Sequence, residues 1–155
     1  MDLAVSLLAA TADTRELREG PPPRLDRCPY LLAVSPARKD PVGGGRRRES
    51  RLREFERLQK MGIAGLKVDF FGGDGQSMIQ YYQDILDDAA RFGLLMNFHG
   101  ATLPRGWHRT YPNLMTMESI KGMEFITFEQ RNANEAPSHT TMLPFTRNAF
   151  DPMDF

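Results

Sequence analysis

Asp69 closes a short apolar run, Gly62-Ile63-Ala64-Gly65-Leu66-Lys67-Val68-Asp69-Phe70-Phe71. A charged carboxylate in such a run is costly unless it has partners or a task. Lys67 lies two residues earlier and so shares its side of an extended chain. Glu118 and Glu124 add two carboxylates six residues apart, and His99 follows a second apolar run, Leu94-Leu95-Met96-Asn97-Phe98. Two carboxylates carried by different strands or loops suit hydrolysis of a glycosidic bond, where one attacks or activates water and the other protonates the leaving oxygen. Glu118 and Glu124 could also share a hard cation such as calcium. Each residue also has a structural reading: Asp69 as a loop cap, the two glutamates as a solvated loop, His99 as a histidine satisfied by backbone. Trp107, Tyr111 and Phe98 offer either a stacking platform for a sugar ring or ordinary packing at a rim. His108 and His139 lack zinc spacing, and Gly72-Gly73-Asp74-Gly75 is no phosphate loop, because no Gly-Lys-Ser/Thr follows.

The elements that would position these residues alternate in type. The run through Asp69 reads as a buried strand ended by a glycine cluster. Before it, Leu52, Phe55 and Leu58 recur at threes, which predicts an amphipathic helix stopped at Gly62. After it, Asp74 or Ser77 is expected to cap a helix whose Met78, Tyr81, Ile85, Ala89 and Phe92 share a face, with Gly93 ending it. Leu94 to Phe98 is the next strand, Leu114 to Glu118 a third, and Thr140 to Phe145 the start of a fourth. This rhythm predicts an α/β fold of parallel strands with right-handed crossovers. Asp69, His99 and Glu118 each follow a strand, as in a (β/α)8 TIM-barrel whose active site gathers at one rim. A whole barrel takes about 200 to 250 residues. A chain of 155 residues is therefore expected to form a partial, incomplete barrel. Residues 1–48, rich in Pro, Gly and Arg, read as an irregular or disordered N-terminal segment, and residues 49–155 as the partial barrel.

Composition narrows the classes. Twenty basic residues balance twenty acidic ones, which gives no field for nucleic acid. The run Arg46-Arg47-Arg48 is followed by Glu49, Arg51, Arg53, Glu54 and Glu56, so it reads as a solvated helix face. One cysteine, Cys28, excludes an internal disulfide and a cysteine-built zinc site. No apolar stretch reaches the length of a membrane-spanning helix. Leu3 to Ala10 lacks the basic start of a signal peptide and reads as a helix remnant, so localisation stays open.

From about Arg53 onward the chain resembles the catalytic barrel of glycoside hydrolase family 97. The blocks that carry the resemblance are Gly65-Leu66-Lys67-Val68-Asp69-Phe70-Phe71, Asn97-Phe98-His99-Gly100-Ala101 and Arg109-Thr110-Tyr111-Pro112-Asn113. It continues through Glu118, Gly122 and Glu124 to Thr141-Met142-Leu143-Pro144-Phe145-Thr146-Arg147-Asn148. The resemblance implies an exo-acting α-glycosidase with a calcium-assisted site, in a barrel lying between two β domains. Where the family's inverting α-glucosidase branch has a glutamate after the strand-end histidine, this chain has Gly100. Together with Asp69, that departure matches the retaining, α-galactosidase-like branch. By this likeness Asp69 is the nucleophile, Glu124 the general acid/base, Glu118 and Glu124 calcium ligands, and Lys67 and His99 sugar contacts. The substrate implied is an α-linked oligosaccharide or galactoside, and the location periplasmic or secreted. The expected flanking domains are not recognisable, so the isolated chain is expected to hydrolyse little. The alternatives are an inactive fragment that keeps at most sugar or calcium binding, α-glucosidase specificity, or an aldolase-like barrel using Lys67 as a Schiff-base lysine.

Overall fold

In the computed structural model the described residues are 5–6, 31–34 and 44–154. The elements run β1 (Val5–Ser6), β2 (Leu31–Val34), α1 (Gly44–Lys60), β3 (Gly65–Val68), α2 (Gln76–Ala90), β4 (Leu95–Phe98) and β5 (Leu114–Met117). Two further helices follow, α3 (Met123–Ile126) and α4 (Gln130–Met142), then 3₁₀ turns at Leu143–Phe145 and Arg147–Ala149. The five strands lie side by side in chain order. β2 to β5 are parallel, while β1 pairs antiparallel with β2. Helices connect β3 to its neighbours, because a parallel strand can be reached only by crossing over the sheet. The result is a partial α/β barrel, an open sheet among the described residues.

The strand period decides what faces where. Lys67 pairs with Asn97 across β3 and β4, and Val68 with Phe98. Leu66, Val68, Met96 and Phe98 therefore share one face, which joins Phe55 and Leu58 of α1 and Tyr82, Ile85, Leu86 and Ala89 of α2 in the core. The opposite face carries Lys67, Asn97 and, just beyond the strands, Asp69 and His99. Both faces of β3 are buried, as expected of a parallel sheet.

Two devices fix the helices on the sheet. Tyr82, fully buried, stacks on Phe71 at 4.0 Å and meets Phe98 and Trp107 at 5.1 and 5.4 Å. Its hydroxyl accepts the Thr102 N–H at 3.0 Å, which ties the loop after β4 to α2. Burial pushes this phenol up to about 12. The second device joins α1 to α2: buried Asp88 accepts from Arg48 Nη2 at 2.9 Å and from Arg51 Nη2 at 2.5 Å. The Arg51 guanidinium also lies 5.5 Å over the Tyr81 ring.

Several expectations change. Arg51 is buried against Asp88 rather than solvated, because the carboxylate opposite compensates its charge. Two strands, Val5–Ser6 and Leu31–Val34, fall where a helix remnant and an irregular segment were expected; the backbone ladder recruits them without a long apolar pattern. Most other residues of 1–48 lie outside the described residues, although α1 begins within that segment at Gly44. Thr140 to Phe145 is not a fourth strand but the end of α4 and a 3₁₀ turn. Thr141 Oγ1 donates to the Pro137 and Ser138 carbonyls, and only Leu143 of the apolar run is buried, which is how a helix end uses such a run. Gly75, with no side-chain bond, stands at the N-cap of α2 in place of Asp74 or Ser77. Gly62 and Gly93 stop their helices at positive φ, as expected. No helix of the described residues is long and apolar enough to cross a membrane.

Asp88→Ala should cost about 3–5 kcal/mol, because it strands two guanidinium groups, one of them buried. Despite the cost of burial, the bonds from Arg48 and Arg51 hold the Asp88 carboxyl below its ordinary value. Its stabilisation is then complete above the unfolded value of about 3.9 and lost as pH falls through the lower folded value. Urea denaturation from pH 7 to 2 should show a stability loss that flattens in Asp88→Asn.

Candidate active site

The site gathers at the C-terminal ends of β3, β4 and β5. The ladder runs past the assigned strands: His99 N–H donates to the Val68 carbonyl at 2.9 Å, and Glu118 N–H to the Phe98 carbonyl at 2.8 Å. Asp69, His99 and Glu118 thus emerge on adjacent strand ends, and α3 brings Glu124 over them from Gly122.

Lys67 is the centre. Its buried ammonium lies 2.8 Å from Glu124 Oε2 and 3.5 Å from Asp69 Oδ2. The two carboxylate oxygens can therefore stand no further apart than these two lengths laid end to end. Retaining glycosidases hold their pair about 5 to 5.5 Å apart, a span that fits within this ceiling. Burial works against the Lys67 charge, but the Glu124 bond and the nearby Asp69 and Glu124 charges outweigh it and raise its pKa. A Schiff-base lysine needs the opposite shift, so the aldolase-like reading loses its support. The Lys67 hydrogen bond in turn lowers the Glu124 pKa.

Asp69 is aimed by its own backbone. Phe70 takes φ 66°, a left-handed conformation that is strained for a bulky residue. There its N–H donates to Asp69 Oδ1 at 3.1 Å. Gly100 lies against this turn at φ 51°, and its N–H donates to Glu118 Oε2 at 2.8 Å. A Cβ at position 100 would come within 3.1 Å of Phe70 N and 3.4 Å of Asp69 Oδ1. A side chain at 100 would press on the Phe70 backbone and touch Asp69.

His99 is buried, with Nδ1 at 3.2 Å from Glu124 Oε2 and 3.5 Å from Glu118 Oε2. Its Nε2 contacts Asp154 Oδ2. Burial alone would lower the His99 pKa; the Asp154 bond and the Asp154 and Glu118 charges raise it instead. Both ring nitrogens therefore face carboxylates. Four acidic groups, Asp69, Glu118, Glu124 and Asp154, surround one lysine and one histidine.

Ligand atoms of His99, Glu118 and Glu124 lie within 4.8 Å of one another. The two carboxylates have the charge and oxygen chemistry calcium prefers, and its usual six to eight ligands leave places for water and further groups. Of the two readings for the aromatic residues, packing is the one found: Phe98 is fully buried and Trp107 nearly so, both packed on Tyr82. Tyr111 packs against the same core. Asp154 was missed in the sequence, where it stands alone in a loop. Its setting between Met153 and Phe155 repeats the apolar bracket of Asp69 and was the available signal.

Residues 46–120 match the model of the family Glycoside hydrolase 97. This chain belongs to that family. A probable retaining alpha-galactosidase of Streptomyces bingchenggensis is 41% identical over 107 residues, which are 69% of this chain and 16% of the relative. A solved beta-arabinopyranosidase is 40% identical with a TM-score of 0.73, over 81% of this chain and 21% of that one. A family 97 enzyme from Pseudoalteromonas sp. strain K8, solved with panose, is 26% identical with a TM-score of 0.60, over 70% of this chain and 19% of its own. The chain thus spans about a fifth or less of the relatives it matches.

Gly100→Ala should cost about 1–2 kcal/mol through its left-handed backbone alone. Contact with Phe70 N adds to that, because backbone cannot swing aside. Chemical denaturation of the two proteins measures the difference.

Proposed function

We propose that this chain carries the reacting groups of a retaining α-glycosidase that removes terminal α-galactosyl units. The observation that supports it most is the convergence of Asp69 and Glu124, from separate elements, on the one ammonium of Lys67. Asp69 attacks the anomeric carbon as the bond to the leaving oxygen breaks, and Glu124 gives that oxygen its proton. A water then loses a proton to Glu124 and attacks the same carbon, releasing Asp69 and returning the configuration to its starting hand.

Lys67 must change partners in this cycle. Its bond lowers the Glu124 pKa, whereas a general acid has to hold a proton. A sugar hydroxyl that takes a hydrogen bond from Lys67 Nζ frees Glu124 for that task. Glu118 and Glu124 would hold calcium, which supplies positive charge beside the sugar when bound. His99 borders the same space, and its sugar contact is part of this proposal. Galactose is the reading favoured by the name of the Streptomyces relative. The arabinopyranosidase is named for a pentopyranose, a six-membered ring that lacks the hydroxymethyl arm of galactose.

The test places residues 49–155 in the matching segment of the Streptomyces bingchenggensis relative. The chimera should cleave an aryl α-galactoside and release α-galactose first, read by proton NMR. Asp69→Ala should lower turnover at least about a thousandfold. Azide should then restore aglycone release and give a galactosyl azide of inverted configuration. Normal turnover in the alanine variant would discard Asp69 as nucleophile. For calcium, the melting temperature of the chimera should rise with added calcium, and Glu118→Gln with Glu124→Gln should shrink that rise. An unchanged rise would remove these two residues as ligands.

A further inference from the structure

We propose that Asp154 is a positioning residue of this site: it accepts the Nε2–H of His99 and so fixes the ring with Nδ1 toward Glu124. The proposal rests on the hydrolase reading of the site, but its geometry stands on its own.

His99 is reached from two sides. Glu118 and Glu124 meet Nδ1, and the only other ring nitrogen contacts Asp154. An ionised carboxylate has no proton to give, so the contact with Asp154 requires the proton on Nε2. A histidine held through one nitrogen by a carboxylate presents the other in a set direction, the logic by which an aspartate orients a catalytic imidazole. Without Asp154 the ring keeps only its Nδ1 neighbours, Glu118 and Glu124, and loses the anchor on its far side.

The fold is built to bring Asp154 there. Arg147, buried beside β5, donates to the Asp151 carbonyl at 2.8 Å and also to the Met117 carbonyl. Buried Asp151 accepts the Gly106 N–H at 2.9 Å and contacts His108. These bonds return the chain to the sheet beside β5, where the Pro152 carbonyl faces Met117 N–H. Asp154 then falls two residues later, opposite His99.

The first measurement is a nitrogen-15 correlation spectrum of the histidine side chains in the full chain. His99 should show its proton on Nε2. Asp154→Asn keeps an acceptor oxygen and should keep that signature, whereas Asp154→Ala should lose it. Unchanged His99 signals in Asp154→Ala overturn the proposal, as does an asparagine variant that resembles alanine while its circular dichroism stays native. The second measurement uses the chimera described above. Asp154→Ala should lower kcat about tenfold or more with KM within about threefold, and Asp154→Asn should recover most of it. A change confined to KM, or none, also overturns the role. A chimera without any turnover counts against the hydrolase reading, while the nitrogen spectrum still decides Asp154.

Discussion

A buried ammonium holds this site together. Lys67 points from β3 onto the face opposite the helices, and a charge taken out of water there requires opposite charge at close range. Glu124 and Asp69 provide it. Because Asp69 leaves β3 and Glu124 arrives from α3, the one cation draws two distant parts of the chain over the same space. Glu124 then also meets His99, which makes the imidazole a second link between β4 and α3.

That arrangement depends on the sheet beneath it. Parallel register sets Lys67 beside Asn97 and Val68 beside Phe98, so the polar and apolar faces of β3 and β4 stay continuous. A slip of one residue would turn Lys67 toward Tyr82 and Val68 toward the carboxylates. Packing against α1 and α2 makes that slip costly, since Leu66, Met96 and Phe98 are fully buried there. The Asp88 clamp and the stack around Tyr82 keep the two helices in place. The strain at Phe70 and the close approach of Gly100 are local costs, maintained by this rigid support, that direct Asp69 and Glu118.

Much of this was legible from the residues. The helical stripes around Phe55 and Ile85 follow from periodicity, and the strands through Lys67, Asn97 and Met115 from short apolar runs. The run from Thr140 to Phe145 resembles those strands but ends a helix, since a short apolar run serves a helix end as well as a strand. Arg51 reads as part of a solvated helix face because nothing local tells that Asp88, on another helix, will be its partner. The aromatic residues Phe98 and Trp107 are equally apt for sugar stacking or for a core, and only packing on Tyr82 decides between them.

Which groups are chemically able is written in the residues themselves: carboxylates at Asp69, Glu118 and Glu124, a cation at Lys67, an imidazole at His99, and strands to carry them. Their type, and the place of Asp69, His99 and Glu118 after apolar runs, are local properties, and local properties survive in a string of letters. Tertiary structure alone decided that they meet. Lys67 and Glu124 are 57 residues apart, and His99 and Asp154 are 55 apart. Contacts over such separations depend on how strands align and where the chain returns to the sheet, which no spacing in the sequence encodes.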